Sequence, residues 1–357
     1  MNTLRCFSLL TAFIVLSHTV YADPSNTLLG LPTHAINSTK LSTPAEIDLG
    51  KQLFFDKNLS QDGSVSCASC HAPDKAFSDH RRVAQGIRGQ FGTRNTPTLL
   101  NAAFAQHLFW DGRRERLEDQ VLDPFINPVE QGLANLAELE QRVRLNKTYP
   151  TVFRRVYGLE PEAIDAMHIA WALAAYVRSL LAGDSPFDRY LYAGDRNALS
   201  ADALRGLELF RGRAHCVECH VIGSNSAFFA DNQFHRLGVG LQSIQPRLAE
   251  LAKRAATYSG SLDALVLEYP EIAELGRFLA THDPHDLGKF KTPSLRNVAL
   301  TAPYMHDGSI ATLEEAVERE VYYRGLSNGR PLIITPREKM AIVEFLKSLT
   351  SSTREQR

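Results

Sequence analysis

Residues 67–71 read Cys-Ala-Ser-Cys-His, and residues 216–220 read Cys-Val-Glu-Cys-His. Each stretch places two thiols on one turn of a helix and a histidine directly after the second thiol. This is the attachment pattern of a c-type haem, in which the thiols bond to the two vinyl groups of one porphyrin and the histidine ligates the iron. The sequence therefore predicts two covalently bound haems c. Their predicted attachment and ligating residues are Cys67, Cys70 and His71 for the first haem and Cys216, Cys219 and His220 for the second.

The cysteine count supports haem attachment. Of the five cysteines, only Cys6 lies outside the two motifs, so no thiol remains for a structural disulfide. Two alternatives would use the same residues: a zinc ion would need a fourth ligand near each motif, and a thioredoxin-like redox site would need a βαβ context. Neither is evident in the sequence, so haem is favoured over both.

Residues 1–22 are predicted to form a secretory signal peptide. Arg5 precedes an apolar stretch over 7–16, and the segment ends with a small-residue cleavage site at 20–22. An uncleaved membrane anchor is the alternative, but the apolar stretch is too short to span a bilayer. We therefore expect an exported, periplasmic protein in which residues 23–43 form an extended N-terminal segment.

The overall composition argues against two classes of partner. The formal net charge is −1 over 357 residues, which is not the strongly basic balance of a nucleic-acid-binding protein. No later stretch approaches the roughly 18 apolar residues of a membrane-spanning helix. The mature chain is therefore expected to act without nucleic acid and without a membrane.

Helical periodicity and capping signals predict an all-α fold. A first helix is expected over 45–55, capped by Ser42 or Thr43, with a proline and a glutamate in its first turn. A helix capped by Ser200 is expected to run through Phe210, just before the second motif. Further helices are predicted over 135–157, 161–182, 313–323 and 336–348, with a loop-rich stretch at 72–110 and a linker at 182–197.

A weak internal repeat suggests how the helices are divided. A helix that ends in Leu-Phe precedes each Cys-x-x-Cys-His motif, as expected for two related haem domains. We therefore predict two small all-α, cytochrome c-like domains, each with one covalent c-type haem. The N-terminal domain is predicted over 44–190 and the C-terminal domain over 191–357.

Beyond these motifs, the chain resembles the bacterial di-haem cytochrome c peroxidases and their MauG-like relatives from about Pro44 to Leu349. The resemblance implies that the N-terminal domain carries the peroxide-reacting haem, ligated by His71. The C-terminal domain would carry the electron-transferring haem, ligated by His220. The segments that carry the resemblance are RNTPTLLNAAF (94–104), LFWDGR (108–113), NPVEQG (127–132), SPFDRYL (185–191) and TPSLRNVALTAPYMHDG (292–308).

The same resemblance implies roles for residues outside the haem motifs. Glu130 and Gln120 match the distal pocket of the peroxide-reacting haem, and Trp110 matches a tryptophan placed between the two haems. Asn95 matches the side-chain ligand of one Ca²⁺ between the domains. The backbone carbonyl ligands of that ion would be Thr301 and Pro303.

Elementary chemistry gives each of these residues a suitable task. Cleavage of an O–O bond needs a group that takes a proton from one oxygen and returns it to the other, which a carboxylate with a raised pKa, such as Glu130, can do. Gln120 can hold peroxide or water by hydrogen bonds, and Trp110 can carry electrons or a radical between cofactors. The amide oxygen of Asn95 suits a hard cation. The alternative for each is an ordinary place on the surface, in the core or in a turn.

Two departures from the family pattern matter. Typical peroxidases of this family have a second histidine on the peroxide-reacting haem, and here that position falls near Ile87, where there is no histidine. His80 and His107 are the nearest histidines, and neither aligns. The sequence therefore favours an open, five-coordinate iron, a feature that MauG-like proteins share.

The second departure concerns the outer ligand of the C-terminal haem, which is a methionine in the peroxidases and a tyrosine in MauG-like proteins. Counting from Pro303 without gaps gives Glu320, whereas aligning the Tyr-x-Arg-Gly ending gives Tyr322, and Tyr323 is a third choice. No methionine lies in this predicted helix. We favour a tyrosine, and Tyr322 over Tyr323, as a ligand that stabilises ferric iron.

Three functions remain open at this point. The leading one is a peroxidase that reduces hydrogen peroxide to water with electrons from a small redox protein, a cytochrome c or a cupredoxin. The alternative is a MauG-like enzyme that uses the peroxide-derived oxidising equivalents of its haems to oxidise side chains of a partner protein. A non-catalytic di-haem electron carrier, with both irons six-coordinate, is the third. A homodimer is compatible with the resemblance.

Overall fold

The structure is a computed structural model that describes residues 28–33, 42–327, 329 and 331–351. The predicted signal peptide lies outside the described residues, as does most of the predicted extended segment at 23–43. The described part is helical, as predicted, and its only strands, β1 and β2, form one short antiparallel pair. No helix in this part is long and apolar enough to cross a bilayer.

Most of the helices are short, and four of the longer ones pack as two pairs. The helices and strands are α1 (Pro44–Phe55), α2 (Cys67–Cys70), α3 (Leu117–Gln120), α4 (Asp123–Ile126), α5 (Leu136–Leu145), α6 (Tyr149–Tyr157), α7 (Ala166–Ser179), α8 (Pro186–Tyr192), α9 (Ala201–Arg211), β1 (Phe234–His235), α10 (Leu241–Ile244), α11 (Leu248–Thr257), α12 (Leu262–Glu268), α13 (Phe278–Thr281), β2 (Phe290–Lys291), α14 (Leu313–Ser327) and α15 (Pro336–Lys347).

Helix α1 begins where the capping pattern predicts. The Thr43 hydroxyl accepts a hydrogen bond from the Glu46 amide (3.2 Å), and the Glu46 carboxylate accepts one from the Thr43 amide (2.7 Å). This reciprocal cap satisfies two amides that the first turn would leave without partners. Leu49, Leu53 and Phe54, on one face of the helix, are buried in the core.

Each half of the chain is built around one pair of helices in close contact. In the first half, a Cβ added to Gly50 of α1 would stand 1.8 Å from the carbonyl oxygen of Ala172 on α7. In the second half, a Cβ added to Gly206 of α9 would stand 1.9 Å from the carbonyl oxygen of Ala341 on α15. Glycine is required at both crossings because the two backbones touch there.

Buried apolar side chains form one cluster in each half and a third, smaller one. The first cluster uses residues from Leu49 to Ala182 and the second uses residues from Phe187 to Leu349. The third lies between Ile244 and Leu279, on helices α10 to α13. These helices occupy the chain between β1 and β2, where the sequence analysis predicts no helix. The corresponding stretch of the first half, residues 72–95, contains two short 3₁₀ turns and no α-helix.

The prediction of one helix over 135–157 is wrong, because the structure has α5 and α6 there. Asn146 ends α5, and its side-chain oxygen accepts hydrogen bonds from the amides of Thr148 (2.8 Å) and Tyr149 (3.2 Å). Such local bonds turn the chain in place of the helical ladder. Pro150, in the first turn of α6, has no amide hydrogen with which to continue α5.

The predicted linker at 182–197 contains helix α8, which is a second correction. Ser185 and Asp188 cap each other through their side chains and amides at the start of this helix. The Asp188 carboxylate is fully buried and receives two hydrogen bonds of 2.9 Å from Arg296. A similar side-chain cap at Asp165 starts α7 later than the predicted start at 161.

The structure reveals an internal repeat longer than the one seen around the haem motifs. Residues 96–124 and 292–320 correspond one for one, without insertion or deletion. Both segments begin with Thr-Pro, place an Asp-Gly pair at the same point, and enter a helix at matching leucines, Leu117 of α3 and Leu313 of α14. The repeat therefore gives a residue-by-residue register between the two halves.

Backbone geometry follows the same register. Asn101 and Asn297 both adopt the left-handed conformation, with φ of 62° and 60°. The side-chain oxygen of Asn101 accepts a hydrogen bond from the amide of Ala182 (2.9 Å), and that of Asn297 accepts one from the amide of Ser351 (2.8 Å). Each asparagine thus ties the end of its half of the chain to the repeat.

Candidate functional site

The first haem motif forms helix α2 and the residue that follows it. The Nδ1 of His71 donates a hydrogen bond to the carbonyl oxygen of Phe77 (3.1 Å). This bond fixes the neutral tautomer that leaves Nε2 with a free lone pair. Burial also lowers the pKa of His71, so the ring stays unprotonated and can ligate a metal.

A small cavity of about 70 Å³ with mainly apolar walls opens beside this motif. No histidine other than His71 lines it. The lining residues are Phe54, Val65, Ser66, Cys67, Cys70, His71, Gly86, Leu99, Gln120, Val121, Pro124, Glu130, Gln131, Leu173 and Val177.

Glu130 lines this cavity in a setting suited to proton transfer. Burial raises the pKa of its carboxyl to about 7, and the positive charge of Arg113 opposes that rise. The side-chain amide of Asn127 donates a hydrogen bond to its Oε1 (3.2 Å). One carboxylate oxygen is therefore held, and near neutral pH the group populates both its acid and its base form.

Two glutamines complete the polar part of the cavity. Gln120, at the end of α3, lines it together with Glu130, so the structure brings together the two residues predicted for the distal pocket. The Nε2 of Gln131 lies 3.8 Å from the Sγ of Cys67, and its buried Oε1 has no hydrogen-bond partner in the described part of the chain. An orphaned acceptor beside a haem thiol fits a cavity that accommodates another group.

The second haem motif repeats the arrangement of the first. Cys216 begins a single 3₁₀ turn, and the Nδ1 of His220 donates a hydrogen bond to the carbonyl oxygen of Phe229 (2.9 Å). Burial lowers the pKa of His220 to about 4. Its Nε2 is thus available to a metal in the same way as that of His71.

The surroundings of the thiols argue against zinc. In the part of the chain that the structure describes, only Cys219, Asp231 and His235 form a group of three potential metal ligands. His235 is bonded to Asp231 (2.7 Å) rather than presented to a vacant site.

The donor set therefore fits covalent haem in both halves. Each motif offers two unpaired thiols and a neutral imidazole whose orientation is fixed by a backbone carbonyl. The first motif also opens onto the cavity that Gln120 and Glu130 line. The residues that would hold the haems are the predicted ones, namely Cys67, Cys70, His71, Cys216, Cys219 and His220.

Trp110 lies where the two halves meet. Its indole Nε1 donates a hydrogen bond to the carbonyl oxygen of Asn95 in the first half (2.9 Å). Its own carbonyl oxygen accepts a hydrogen bond from the amide of Lys291 on β2 (2.9 Å). The residue is thus bonded to both halves.

Asn95 is buried beside the loop that contains Thr301 and Pro303. Its amide nitrogen donates to the carbonyl oxygen of His306 (2.9 Å), and its side-chain Nδ2 donates to the carbonyl oxygen of Arg81 (2.9 Å). The opposite side-chain atom, Oδ1, is the kind of hard oxygen that Ca²⁺ takes.

The three candidates for the outer ligand of the second haem occupy different places on α14. Tyr322 is 54% exposed, and its ring meets that of Tyr323 edge-on with centroids 5.4 Å apart. Tyr323 lies against Gly238. Burial raises the pKa of Glu320 to about 7, with Arg324 and His235 as the nearest opposing charges. The structure thus turns the favoured candidate, Tyr322, toward solvent.

Several residues at the site are not singled out by the sequence analysis. Asn127 could have been found from its turn pattern, because its Oδ1 accepts a hydrogen bond from the amide of Val129 (2.9 Å) two residues later. Arg113 and Gln131 approach the site through the folded chain, and no local pattern marks them. Arg324, whose Nη1 lies 3.8 Å from the Sγ of Cys219, is likewise recognised only in the structure.

Comparisons with known proteins agree with this site. The family model for di-haem cytochrome c peroxidase matches residues 44–197. Cytochrome-c peroxidase IdrP1 of Pseudomonas sp. strain SCT is 34% identical over 360 residues, covering 97% of this chain and 92% of that protein. Methylamine utilization protein MauG of Methylorubrum extorquens is 34% identical over 316 residues, covering 86% and 78%.

A solved structure shows the same fold. The crystal structure of a MauG-like protein associated with microbial copper homeostasis superposes with a TM-score of 0.72 at 30% identity, covering 92% of this chain and 96% of that one. Together, the sequence relatives and this structure include both peroxidases and MauG proteins. The chain therefore belongs to the di-haem cytochrome c peroxidase family, which implies haem c as its cofactor.

Proposed function

We propose that this protein is a periplasmic peroxidase that reduces hydrogen peroxide to water with electrons from a small redox protein, a cytochrome c or a cupredoxin. The observation that carries the proposal is the cavity beside His71. It combines a carboxyl group of raised pKa with a hydrogen-bonding glutamine, and no second histidine lines it. A non-catalytic electron carrier has no need for a proton-transfer carboxyl beside its haem.

Glu130 is the proposed proton-transfer group. Asn127 holds Oε1 by a hydrogen bond of 3.2 Å, so Oε2 is the atom that accepts a proton from peroxide and returns it to the departing oxygen. Because the pKa of the carboxyl is about 7, both transfers are close to balanced at neutral pH. Asn127 and Arg113 are the proposed positioning residues for this carboxyl.

The other cavity residues would hold the substrate and exclude bulk water. Gln120 carries one donor and one acceptor group, which suits both peroxide and the water that forms from it. Leu99, Leu173 and Val177 provide apolar walls. When bound, the haem held by His71 supplies the redox chemistry of the reaction. Trp110, bonded to both halves of the chain, is the proposed route for electrons between the two haem sites.

The test is the substitution Glu130→Gln in the haem-loaded protein. We expect steady-state peroxide reduction to fall by about 10²- to 10⁴-fold, the range that a general acid–base group contributes. Haem content and the resting spectrum should be unchanged, since glutamine has nearly the same size. Glu162→Gln is the matched control, because Glu162 is exposed and remote from the cavity. Unchanged turnover in Glu130→Gln would remove this residue from the mechanism.

A MauG-like function is the second candidate, in which the same site oxidises side chains of a partner protein. It is favoured by the cavity without a second histidine and by the lack of a methionine in α14. Steady-state turnover with a reduced small cytochrome c and with a reduced cupredoxin discriminates between the two. Rapid turnover with either donor supports the peroxidase, and negligible turnover by a protein that still reacts with peroxide supports the MauG-like function.

We also propose one Ca²⁺ between the halves, held by the Oδ1 of Asn95 and the carbonyl oxygens of Thr301 and Pro303. Three uncharged oxygens suit this hard cation, with water completing its shell. Metal analysis of the protein purified without chelator, compared with an Asn95→Ala variant, tests the assignment. Equal calcium content in both proteins would count against it.

A further inference from the structure

The internal repeat gives an independent way to find what faces the second haem motif. Residues 96–124 and 292–320 correspond without a gap, so Gln120, Val121 and Pro124 of the first half match Ala316, Val317 and Glu320 of the second. The three residues of the first half all line the cavity beside His71. The register therefore assigns Glu320 to the corresponding wall beside His220.

The helix that carries Glu320 keeps this register. Helix α14 begins at Leu313, the counterpart of Leu117, and continues without a break to Ser327. No extra residue is present that could shift Tyr322 into the place of Glu320. By the same register, Tyr322 matches Ile126, which is 40% exposed, and Tyr322 is itself 54% exposed.

Contacts around α14 place this face of the helix on the second haem motif. Arg324 lies one turn after Glu320 on the same face. Its guanidinium donates to the carbonyl oxygen of His215 (2.6 Å), and its Nη1 lies 3.8 Å from the Sγ of Cys219. The negative charge of Glu320 adds to the burial that raises the pKa of Cys216. Glu320 therefore faces the attachment site of the second haem from the helix side.

The carboxylate of Glu320 lies near the charges of Arg324 and His235 but accepts no hydrogen bond from them. Among the described residues, no backbone or side-chain group donates a hydrogen bond to it, although it is partly buried. A carboxylate withdrawn from water normally needs hydrogen bonds or a metal to remain in the fold. By contrast, Glu318, two residues earlier on the same helix, is exposed and pairs with Lys339 (2.9 Å).

We propose that Glu320 is the second axial ligand of the haem bound by Cys216, Cys219 and His220, in place of the methionine or tyrosine expected at this point. An anionic oxygen ligand stabilises ferric iron, whereas methionine raises the reduction potential. The second site would then have a lower reduction potential than a site with a methionine ligand. The proposal deepens the proposed function, and it rests on that function only in requiring that both haems are attached.

The experiment compares variants of the haem-loaded protein by electron paramagnetic resonance of the ferric state and by redox titration. Glu320→Gln should change the signal of one haem only, and Glu320→Met should raise the reduction potential of that haem. Glu320→Ala should raise the amount of cyanide bound from about one to about two equivalents per chain. Glu318→Gln is the matched control and should leave all three measurements unchanged.

Tyr323→Phe tests the rival ligand. If that variant alters the second haem and Glu320→Gln does not, the proposal is overturned, and it is equally overturned if neither variant does. These outcomes are separable from a failure of the proposed function. Loss of peroxide turnover in Glu130→Gln concerns the first haem, whereas every measurement on Glu320 is made without peroxide. Circular dichroism and haem content show that each variant has folded.

Discussion

The two histidines proposed to hold the haems are supported in the same way, but the residues near them differ in kind. Each donates its Nδ1 hydrogen to the carbonyl of a phenylalanine, Phe77 or Phe229. Opposite His71 the chain provides a cavity with Gln120 and Glu130. In the second half the position of Gln120 is taken by Ala316, and Glu320 replaces Pro124.

The aromatic residues beneath the two histidines match almost to the ångström. The ring of Phe54 lies 6.4 Å from Phe77 and 5.0 Å from Tyr176. In the second half, the corresponding distances from Phe210 are 6.4 Å to Phe229 and 4.9 Å to Phe345. The two aromatic clusters are thus alike, whereas the residues at the positions of Gln120 and Pro124 differ between the two halves.

The largest effect on stability is expected at the two helix crossings. Gly50→Ala and Gly206→Ala would each force a Cβ into a carbonyl oxygen, so each should lower the free energy of unfolding by about 3 kcal/mol, as overpacking does. Chemical denaturation followed by circular dichroism measures both. Gly92→Ala is the control, because its Cβ would meet nothing closer than 3.8 Å. If only one of the two substitutions left the free energy of unfolding unchanged, the two helix crossings would not be equivalent.

The next prediction introduces into the first half the carboxylate that distinguishes the second half. Pro124→Glu places a carboxylate in the first cavity at the position that corresponds to Glu320. If the register is right, it should compete for the open site and lower peroxide turnover and cyanide affinity by about a hundredfold, or about 2.7 kcal/mol. Pro128→Glu, in the same segment but exposed, is the control. Wild-type behaviour of Pro124→Glu would break the correspondence between the two positions.

Both asparagines of the repeat should stabilise the fold, Asn101 more than Asn297, because the Nδ2 of Asn101 also donates to the carbonyl oxygen of Ala182 (2.9 Å) whereas the buried Nδ2 of Asn297 has no partner among the described residues. Asn101→Gly and Asn297→Gly keep the left-handed backbone available but remove the hydrogen bonds to Ala182 and Ser351. We expect each variant to lose about 1–2 kcal/mol of unfolding free energy, the cost of leaving a buried partner unsatisfied. Urea titrations of both variants provide the measurement. A larger loss in Asn297→Gly than in Asn101→Gly would contradict this order.

The pH dependence of turnover should report Glu130. The carboxylate is the form that accepts a proton from peroxide, and its pKa is about 7. The rate of reaction with peroxide should therefore rise about tenfold from pH 6 to pH 8 as the base form is populated. Stopped-flow absorbance at limiting peroxide measures it. The rise should vanish in Glu130→Gln, and a profile that falls with pH would contradict the assignment.

Much of the site could be predicted from local patterns. The haem motifs, the reciprocal cap at Thr43 and the helix that begins after Ser200 all depend on neighbours within four residues. Glu130 and Gln120 were predicted to meet, and both line the cavity. A short motif predicts its chemistry because the spacing of its residues fixes their geometry.

Other features depend on contacts between distant parts of the chain. Whether Glu320 or Tyr322 faces the second motif turns on the continuity of α14, which the sequence leaves open because both positions fit a helix. Arg113 comes close enough to affect the pKa of Glu130 only when the chain folds. The helices between β1 and β2 pack around their own apolar cluster, so the sequence pattern around the haem motifs does not predict them.

The joint between the halves also has a mechanical consequence. Trp110 is tied by its indole to one half and by its carbonyl to the other, and Arg277 donates hydrogen bonds across the joint to the carbonyl oxygens of Asp111 (3.1 Å) and Gly112 (2.7 Å). Sliding one half against the other would break these bonds together. The joint therefore resists sliding of one half of the chain against the other and holds the two haem motifs at a fixed distance.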